Sequence, residues 1–92
     1  MKLRVITVNN QFEAEDCDYI TLDISDDKKG GFSGCCGIKR GHARAVMSLR
    51  EGKVTAQRQG KVIFSAVTSA GFARVGDNTV TVAVDSADVT EQ

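Results

Sequence analysis

The chain has 92 residues, of which 41% are apolar and 26% are charged, and its formal net charge is zero. This length predicts a single domain over residues 1–92 with a modest core. No stretch approaches the ~20 consecutive apolar residues of a transmembrane helix, and Met1–Arg4 lacks the apolar run of a signal peptide. We therefore expect a cytosolic chain that meets a membrane only through a partner. The three cysteines, Cys17, Cys35 and Cys36, argue against a disulfide framework because their number is odd.

The charged residues are segregated along the chain. Acids predominate up to Asp27, ten basic residues and the single acid Glu51 lie between Lys28 and Arg74, and the tail after Arg74 is acidic again. Such asymmetry is typical of an interaction surface. An antiparallel fold that interleaves the three segments would instead neutralise them in space. The sequence leaves both interpretations open.

The dominant hydrophobic period is two, which is typical of β-strands. Leu3–Val8 and Lys61–Val67 are rich in β-branched residues and almost continuously apolar, so they predict strands buried on both faces. Cys17–Ile24 and Thr79–Asp85 alternate apolar and polar side chains, which predicts half-buried antiparallel strands. The residues expected to point into the core from these two strands are Ile20, Leu22, Ile24, Val80, Val82 and Val84.

Short turn sequences separate the predicted strands. Glu51-Gly52, Gln59-Gly60 and Gly76-Asp77-Asn78 each predict a tight turn. The fold class is therefore all-β, a flattened antiparallel β-sandwich or barrel of about 8–10 short strands. His42–Leu49 is ambiguous, because its apolar residues fit a short helix as well as a strand. Asp26–Gly37 carries four glycines and four charges and predicts a long loop.

Residues suited to catalysis or ligand binding are sparse. Cys35, Cys36 and His42 invite a metal site or a thiol–imidazole pair, but adjacent cysteines suit a tetrahedral site poorly and a fourth ligand must come from elsewhere. No Lys-Ser or Lys-Thr follows the loop glycines, as a phosphate-binding loop requires. The basic middle of the chain has few aromatic side chains for base stacking, because Phe64 and Phe72 stand where core residues are expected. We expect no catalytic residue, no metal, no cofactor and no nucleic-acid partner.

Four segments occur in an order and spacing that point to a known family. They are Gly37–Ala43, Ser48–Val54, Ala70–Val75 and Asn78–Asp85. They resemble the patterns G-x-G-I-x-P-G-H-A, L-x-x-G-x-V, G-G-F-x-E-V and N-x-V-T-V-L-A-D of the N-terminal β-domain of the F-type ATP synthase epsilon subunit. The resemblance implies a flattened sandwich, and it favours a strand for residues 42–49. It also implies a non-catalytic rotor subunit of a proton-translocating complex at the cytoplasmic face of the cell membrane.

In that family, one face of the sandwich packs on the gamma subunit of the central stalk, and the loop with G-H-A stands on the membrane c-ring. The resemblance therefore implies a partner interface at Gly37, Ile38, Lys39, Arg40, Gly41, His42, Ala43 and Arg44. Arg40 and Arg44 stand where the family has proline, which adds two positive charges at this end. We expect these charges to favour an acidic partner surface.

The chain ends at Gln92, where many family members continue into a two-helix hairpin that inhibits the catalytic head and in some members binds ATP. We therefore expect this sequence neither to hydrolyse ATP nor to bind it tightly. The alternative function is a free-standing β-sandwich adaptor that binds another protein or RNA. The glycines expected to shape turns are Gly52, Gly60, Gly71 and Gly76.

Overall fold

The structure is a computed structural model that describes residues 1–24, 34–41 and 44–90. Within these ranges all regular secondary structure is β-strand, and none of it is a helix long and apolar enough to cross a membrane. The all-β prediction is therefore confirmed. The strands are β1 (Lys2–Ile6), β2 (Gln11–Ala14), β3 (Tyr19–Ile24), β4 (Gly34–Lys39), β5 (Ala45–Leu49), β6 (Gly52–Arg58), β7 (Lys61–Thr68), β8 (Gly71–Gly76), β9 (Thr79–Val84) and β10 (Ala87–Thr90).

The strands form two layers of a sandwich. Sheet I has the order β4-β3-β6-β7-β10, and sheet II has the order β5-β8-β9-β1-β2. β3 joins the two sheets, because its first half pairs with β6 whereas its last residue, Ile24, pairs with Leu49 of β5. Neighbouring strands are antiparallel except β1 and β9, which run parallel. The predicted sandwich is confirmed, and the parallel pair is an addition that alternation alone does not predict.

The core lies between the sheets and takes every second residue from most strands. Ile20, Leu22, Val80 and Val82 are fully buried and Val84 is nearly so, as predicted. The side chain of Ile24 lies outside the described part of the structure. Each such aliphatic side chain contributes about 1.5–3 kcal/mol when fully buried. The other large or branched core residues are Met1, Leu3, Val5, Ile38, Leu49, Val54, Phe64 and Val75.

Two predicted strands are covered less than the sequence indicated. β1 ends at Ile6 rather than Val8, and its residues alternate between buried and half-buried positions before the exposed Ile6. β7 has consecutive buried residues only in its middle, at Phe64, Ser65 and Ala66. The prediction of burial on both faces is therefore wrong for β1 and correct only for the middle of β7. A two-layer sandwich has no third layer to cover the outer face of either strand.

The predicted loop Asp26–Gly37 is wrong at its C-terminal end. Gly34–Lys39 forms β4, which pairs with β3 along its whole length, while residues 25–33 lie outside the described structure. The Tyr19 ring lies over Gly37 and leaves no room for a side chain at this position of the strand. A Cβ atom there would come within 2.8 Å of Tyr19 Cε1. The next residue, Ile38, is fully buried and anchors β4 to the core.

The ambiguous segment His42–Leu49 contains a strand rather than a helix. Ala45–Leu49 forms β5 and pairs with β8, whereas residues 42 and 43 lie outside the described structure. The helical alternative is therefore wrong for this part of the segment. The segment forms a strand because β8 provides the backbone hydrogen-bond partners for β5, and the periodicity of the sequence does not specify such a partner.

The tight turns lie where the sequence placed them. Gln59 and Gly60 have φ values of 51° and 79°, and Asp77 and Asn78 have values of 53° and 60°. Two central residues with positive φ define a type I′ turn, whose twist matches that of the flanking strands. Gly60 is therefore a central turn residue. Three other predicted turn glycines end or begin strands beside turns, namely Gly52, Gly71 and Gly76.

Candidate functional site

The segment predicted as a partner interface lies at one end of the sandwich. β4 leads into a turn at Arg40 and Gly41, and Arg44 precedes β5. Lys39, Arg40, Gly41 and Arg44 are exposed, whereas the Ile38 side chain is in the core and is unavailable to a partner. His42 and Ala43 belong to the predicted interface but lie outside the described residues.

Arg40 is held by an acid from a distant part of the chain. Its Nη2 donates to Asp18 Oδ1 at 2.7 Å, and its Nε donates to the Cys17 carbonyl at 3.4 Å. Asp18 Oδ2 in turn accepts a hydrogen bond from the backbone amide of Gln59 at 2.8 Å. One carboxylate therefore connects the end of β4 with the β6–β7 turn. Where the family pattern has proline, this chain has Arg40 and its ion pair with Asp18.

Arg44 has an equivalent partner on the other side of this end. Its Nη2 lies 2.9 Å from Asp77 Oδ1, in the β8–β9 turn, and both side chains are highly exposed. Such exposed pairs contribute only about 0–1 kcal/mol to stability. Both arginines are therefore partly neutralised within the chain, and their positive charge is not wholly available to a partner.

Cys17 and Cys36 are free thiols within the described structure. Cys17 is buried, its Sγ donates to the Ala14 carbonyl at 3.4 Å, and burial raises the pKa of its thiol. Cys36 is half-buried against the core. Residues 1–24, 34–41 and 44–90 hold no cluster of three or more possible metal ligands. The side chains of Cys35 and His42 lie outside that description, so the expectation of no metal stays a prediction.

Sequence reasoning missed the open face of sheet II. Cross-strand pairing places Val46, Arg74, Thr81, Arg4 and Glu13 in one row that crosses all five strands. A groove of about 590 Å³ runs over this row and is bordered by Arg44 and Thr79. Period-two counting from the buried Val75 would have placed Arg74 on this face, but no local pattern aligns it with β1.

Glu13, at the acidic end of the row, forms ion pairs with its basic neighbours. Glu13 lies 3.2 Å from Lys2 Nζ through Oε1 and 3.2 Å from Arg4 Nε through Oε2. Gln11 Nε2 also donates to Glu13 Oε2 at 2.7 Å. The hydrogen bond from Lys2, followed by that from Gln11, holds the pKa of Glu13 below its usual value. Glu13 therefore stays ionised and paired at neutral pH.

The middle of the next row on the same face is apolar, whereas its two ends are polar. It contains Phe72, Ala83 and Ile6 side by side, and Val8 lies just beyond β1. Phe72 is 61% exposed and Val8 is 77% exposed. The expectation that Phe72 is a core residue is wrong, whereas Phe64 is buried as expected. Phe72 points outward because Ala73 and Val75 take the inward positions of β8.

We use the name apolar patch for Ile6, Val8, Phe72 and Ala83. We use the name basic row for Arg4 and Arg74 of the row above together with Arg44, which borders the groove. The two lie next to each other on the outer face of sheet II, since rows two residues apart are separated by about 7 Å along the strands. A contiguous apolar area beside charged residues is typical of a protein-interaction surface. This face and the Lys39–Arg44 end are the two candidate interfaces.

The family assignment follows from comparison with known proteins. Residues 1–89 match the family described as ATP synthase, Delta/Epsilon chain, beta-sandwich domain. The chain belongs to this family. The ATP synthase epsilon chain of Pelotomaculum thermopropionicum is 30% identical over 91 residues, which are 99% of this chain and 62% of that protein.

Solved structures share the fold. A chain in the cryo-EM structure of the Euglena gracilis mitochondrial ATP synthase, OSCP/F1/c-ring in rotational state 1, has a TM-score of 0.74 and 23% identity, covering 95% of this chain and 51% of that chain. A chain in the Tetrahymena thermophila mitochondrial ATP synthase central stalk/c-ring structure has a TM-score of 0.65 and 15% identity, covering 99% of this chain and 66% of that chain. The chain thus spans less than two thirds of the length of each of these relatives.

This member of the Delta/Epsilon chain family carries arginine at two positions of the sequence patterns given above and at the position that follows one of them. Arg40 stands at the proline of G-x-G-I-x-P-G-H-A, Arg44 stands directly after this pattern, and Arg74 stands at the glutamate of G-G-F-x-E-V. The three arginines have different surroundings in the structure. Arg40 ties the loop end to Asp18, whereas Arg44 and Arg74 both border the groove on sheet II. The substitutions therefore give the outer face of sheet II a more basic character.

Proposed function

We propose that this chain is a non-catalytic central-stalk subunit of an F-type ATP synthase, which joins the gamma subunit to the c-ring at the cytoplasmic face of the membrane. The observation that carries the proposal is the family match over residues 1–89, together with 30% identity to an epsilon chain over 99% of the chain. The two solved assemblies with this fold, which are described as containing a c-ring, support the same placement. Within such a complex the subunit transmits torque between its partners and performs no chemistry.

We assign the gamma subunit to the outer face of sheet II. The apolar patch offers Phe72 and Val8, whose large exposed surfaces gain about 25 cal/mol per Å² when a partner covers them. Aromatic residues of this kind often dominate the affinity of an interface. Strands on this face present a flat, rigid platform, which suits a subunit that must rotate with the stalk.

We assign the c-ring to the end that carries Lys39, Arg40, Gly41 and Arg44. Ion pairs with Asp18 and Asp77 connect Arg40 and Arg44 to other segments at this end of the sandwich. The exposed Lys39 adds a charge for which the described structure shows no ion-pair partner. Polar loops of a ring would meet this end mainly through charged and hydrogen-bonding groups.

The gamma assignment is tested by co-expressing the tagged chain with the gamma subunit of the same organism and measuring the captured gamma. Val8→Asp should reduce capture by at least about tenfold, because it places a charge in a desolvated contact. Val67→Asp is the matched control, since Val67 is 50% exposed on the outer face of sheet I. Val67 lies between Lys53 and Asp88 on the neighbouring strands, so the new carboxylate meets one charge of each sign.

The outcomes separate the two functions. Failure of the unaltered chain to capture gamma would refute the stalk function and leave the free-standing adaptor as the interpretation. Capture that is equally reduced by both variants would refute the assignment of sheet II to gamma.

The c-ring assignment is tested with the double variant Arg40→Glu/Arg44→Glu in the assembled complex. We expect weaker retention of the ring, most visibly at low salt, where charges are screened least. The control variant Arg44→Glu/Asp77→Arg reverses one ion pair while keeping it intact. Ring retention that is unchanged in the double variant would contradict the assignment of this end to the ring.

A further inference from the structure

Within the described residues, acids of this chain balance only part of the basic row on sheet II. Arg4 is paired with Glu13 and Arg44 with Asp77, but among the described residues Arg74 takes part in none of the ion pairs. It lies on β8, the second of the five strands of sheet II, with Val46 on one side and Thr81 on the other. An exposed arginine held on a rigid strand, beside an apolar patch, is positioned to meet a charge on a partner.

The geometry places two arginines on either side of one threonine. Arg74 and Arg4 both lie opposite Thr81 in the register of β8, β9 and β1. Strands are about 4.8 Å apart, so the two Cα atoms are separated by roughly 10 Å. Arg4 is paired with Glu13, so Arg74 is the arginine of this row whose guanidinium has no ion-pair partner among the described residues.

We infer that the gamma subunit of this organism presents an acidic side chain to Arg74, directly beside its apolar contact with Phe72. This inference rests on the proposed stalk function. The inference adds the charge of the partner surface to that proposal. The family pattern has glutamate at the position of Arg74, and a glutamate would favour a basic partner surface instead. The chain would therefore discriminate between gamma subunits by charge, binding its own in preference to one with a basic surface.

A small anion fits the groove less well than an acidic protein surface. The carboxylates of Glu13 and Asp77 already occupy Arg4 and Arg44 and would repel a phosphate group. The groove also adjoins the apolar patch, because Arg74 and Phe72 are two residues apart on the same face of β8. A protein surface with adjoining acidic and apolar areas satisfies both parts of the face.

The experiment measures the dissociation constant of the full chain for its own gamma subunit at low and high salt. Arg74→Glu should weaken binding at least about tenfold at low salt, and the difference should shrink at high salt as screening increases. Arg50→Glu changes the net charge equally, at an exposed position on the β5–β6 turn outside the groove. It should leave the dissociation constant within about twofold of the unaltered chain.

A complementary variant sharpens the test. Exchanging single acidic residues of gamma for lysine should identify at least one variant that binds the Arg74→Glu chain better than the unaltered chain. Equal binding of the unaltered and Arg74→Glu chains at both salt concentrations would overturn the inference while leaving the stalk function intact. Loss of gamma binding by the unaltered chain would instead refute the stalk function. Saturable binding of ATP or inorganic phosphate that Arg74→Glu abolishes would show an anion site and also overturn the inference.

Discussion

The register of β9 is tested by one substitution made at two positions. Val82 is fully buried and lies between Ala73 of β8 and Val5 of β1, which are also fully buried. Val46 lies on β5 and is 72% exposed on the outer face of sheet II. Replacing each valine by alanine removes the same two methyl groups from opposite environments, so the difference in unfolding free energy measures burial alone.

The expected magnitude follows from these environments. Removing two buried methyl groups from Val82 costs about 1.6 kcal/mol of transfer free energy. The neighbouring strands are fixed by their ladder and cannot close the space, so a cavity term raises the total to about 2–3 kcal/mol. Val46→Ala should cost less than about 1 kcal/mol, the full range of β-propensity differences.

Urea unfolding followed by far-UV circular dichroism suits this chain, because it has no tryptophan and only one tyrosine. The melting temperature of Val82→Ala should fall by roughly 10–20 °C, since each kcal/mol corresponds to about 4–8 °C in a domain of this size. Equal costs for the two variants would refute the register. A slip of one residue would exchange Val80 and Val82 for Thr79, Thr81 and Ala83 in the core.

Two further predictions concern a close backbone contact and a titrating side chain. Gly71→Ala should destabilise the chain by about 1–3 kcal/mol, because the new Cβ would overlap the carbonyl oxygen of Ala83 and lie 3.1 Å from its carbon. Gly76→Ala, where the nearest atom is 3.6 Å away in a flexible side chain, should have no such cost; equal melting temperatures of the two variants would contradict this account. Glu13 has a pKa below its usual value of 4.5, so its contribution to stability is present above pH 4.5 and is lost as pH falls through the lowered pKa. The difference in urea midpoint between the unaltered chain and Glu13→Gln should therefore be present at pH 7 and disappear in acid; a difference that persists below the lowered pKa would show that Glu13 does not act through its charge.

Local chemistry in the sequence determined the fold class and most of the strands. Alternation at Ile20, Leu22, Val80 and Val82 predicted their burial correctly, because the strand period of two is a property of each segment by itself. The turn at Gln59 was equally visible, since turn conformations depend on a few adjacent residues.

Errors arose where a residue's environment comes from a distant strand. Gly37 looked like a loop residue, but the Tyr19 ring covers it in β4. Phe72 looked like a core residue, but Ala73 takes the inward position beside it. Hydrophobicity alone cannot decide which face of a strand is covered, because this depends on how many layers the whole fold has.

The candidate interfaces show the same division between sequence and tertiary structure. The sequence supplied Arg40 and Arg44 as departures from the family pattern, but only the folded chain brought Asp18 and Asp77 within 2.7 Å and 2.9 Å of them. The alignment of Arg74 with β1 likewise depends on a parallel pairing between the first strand and the ninth. Ladder pairing between segments far apart in sequence is set by packing of the complete sandwich, so the sequence by itself could name these charges but could not place them on one surface.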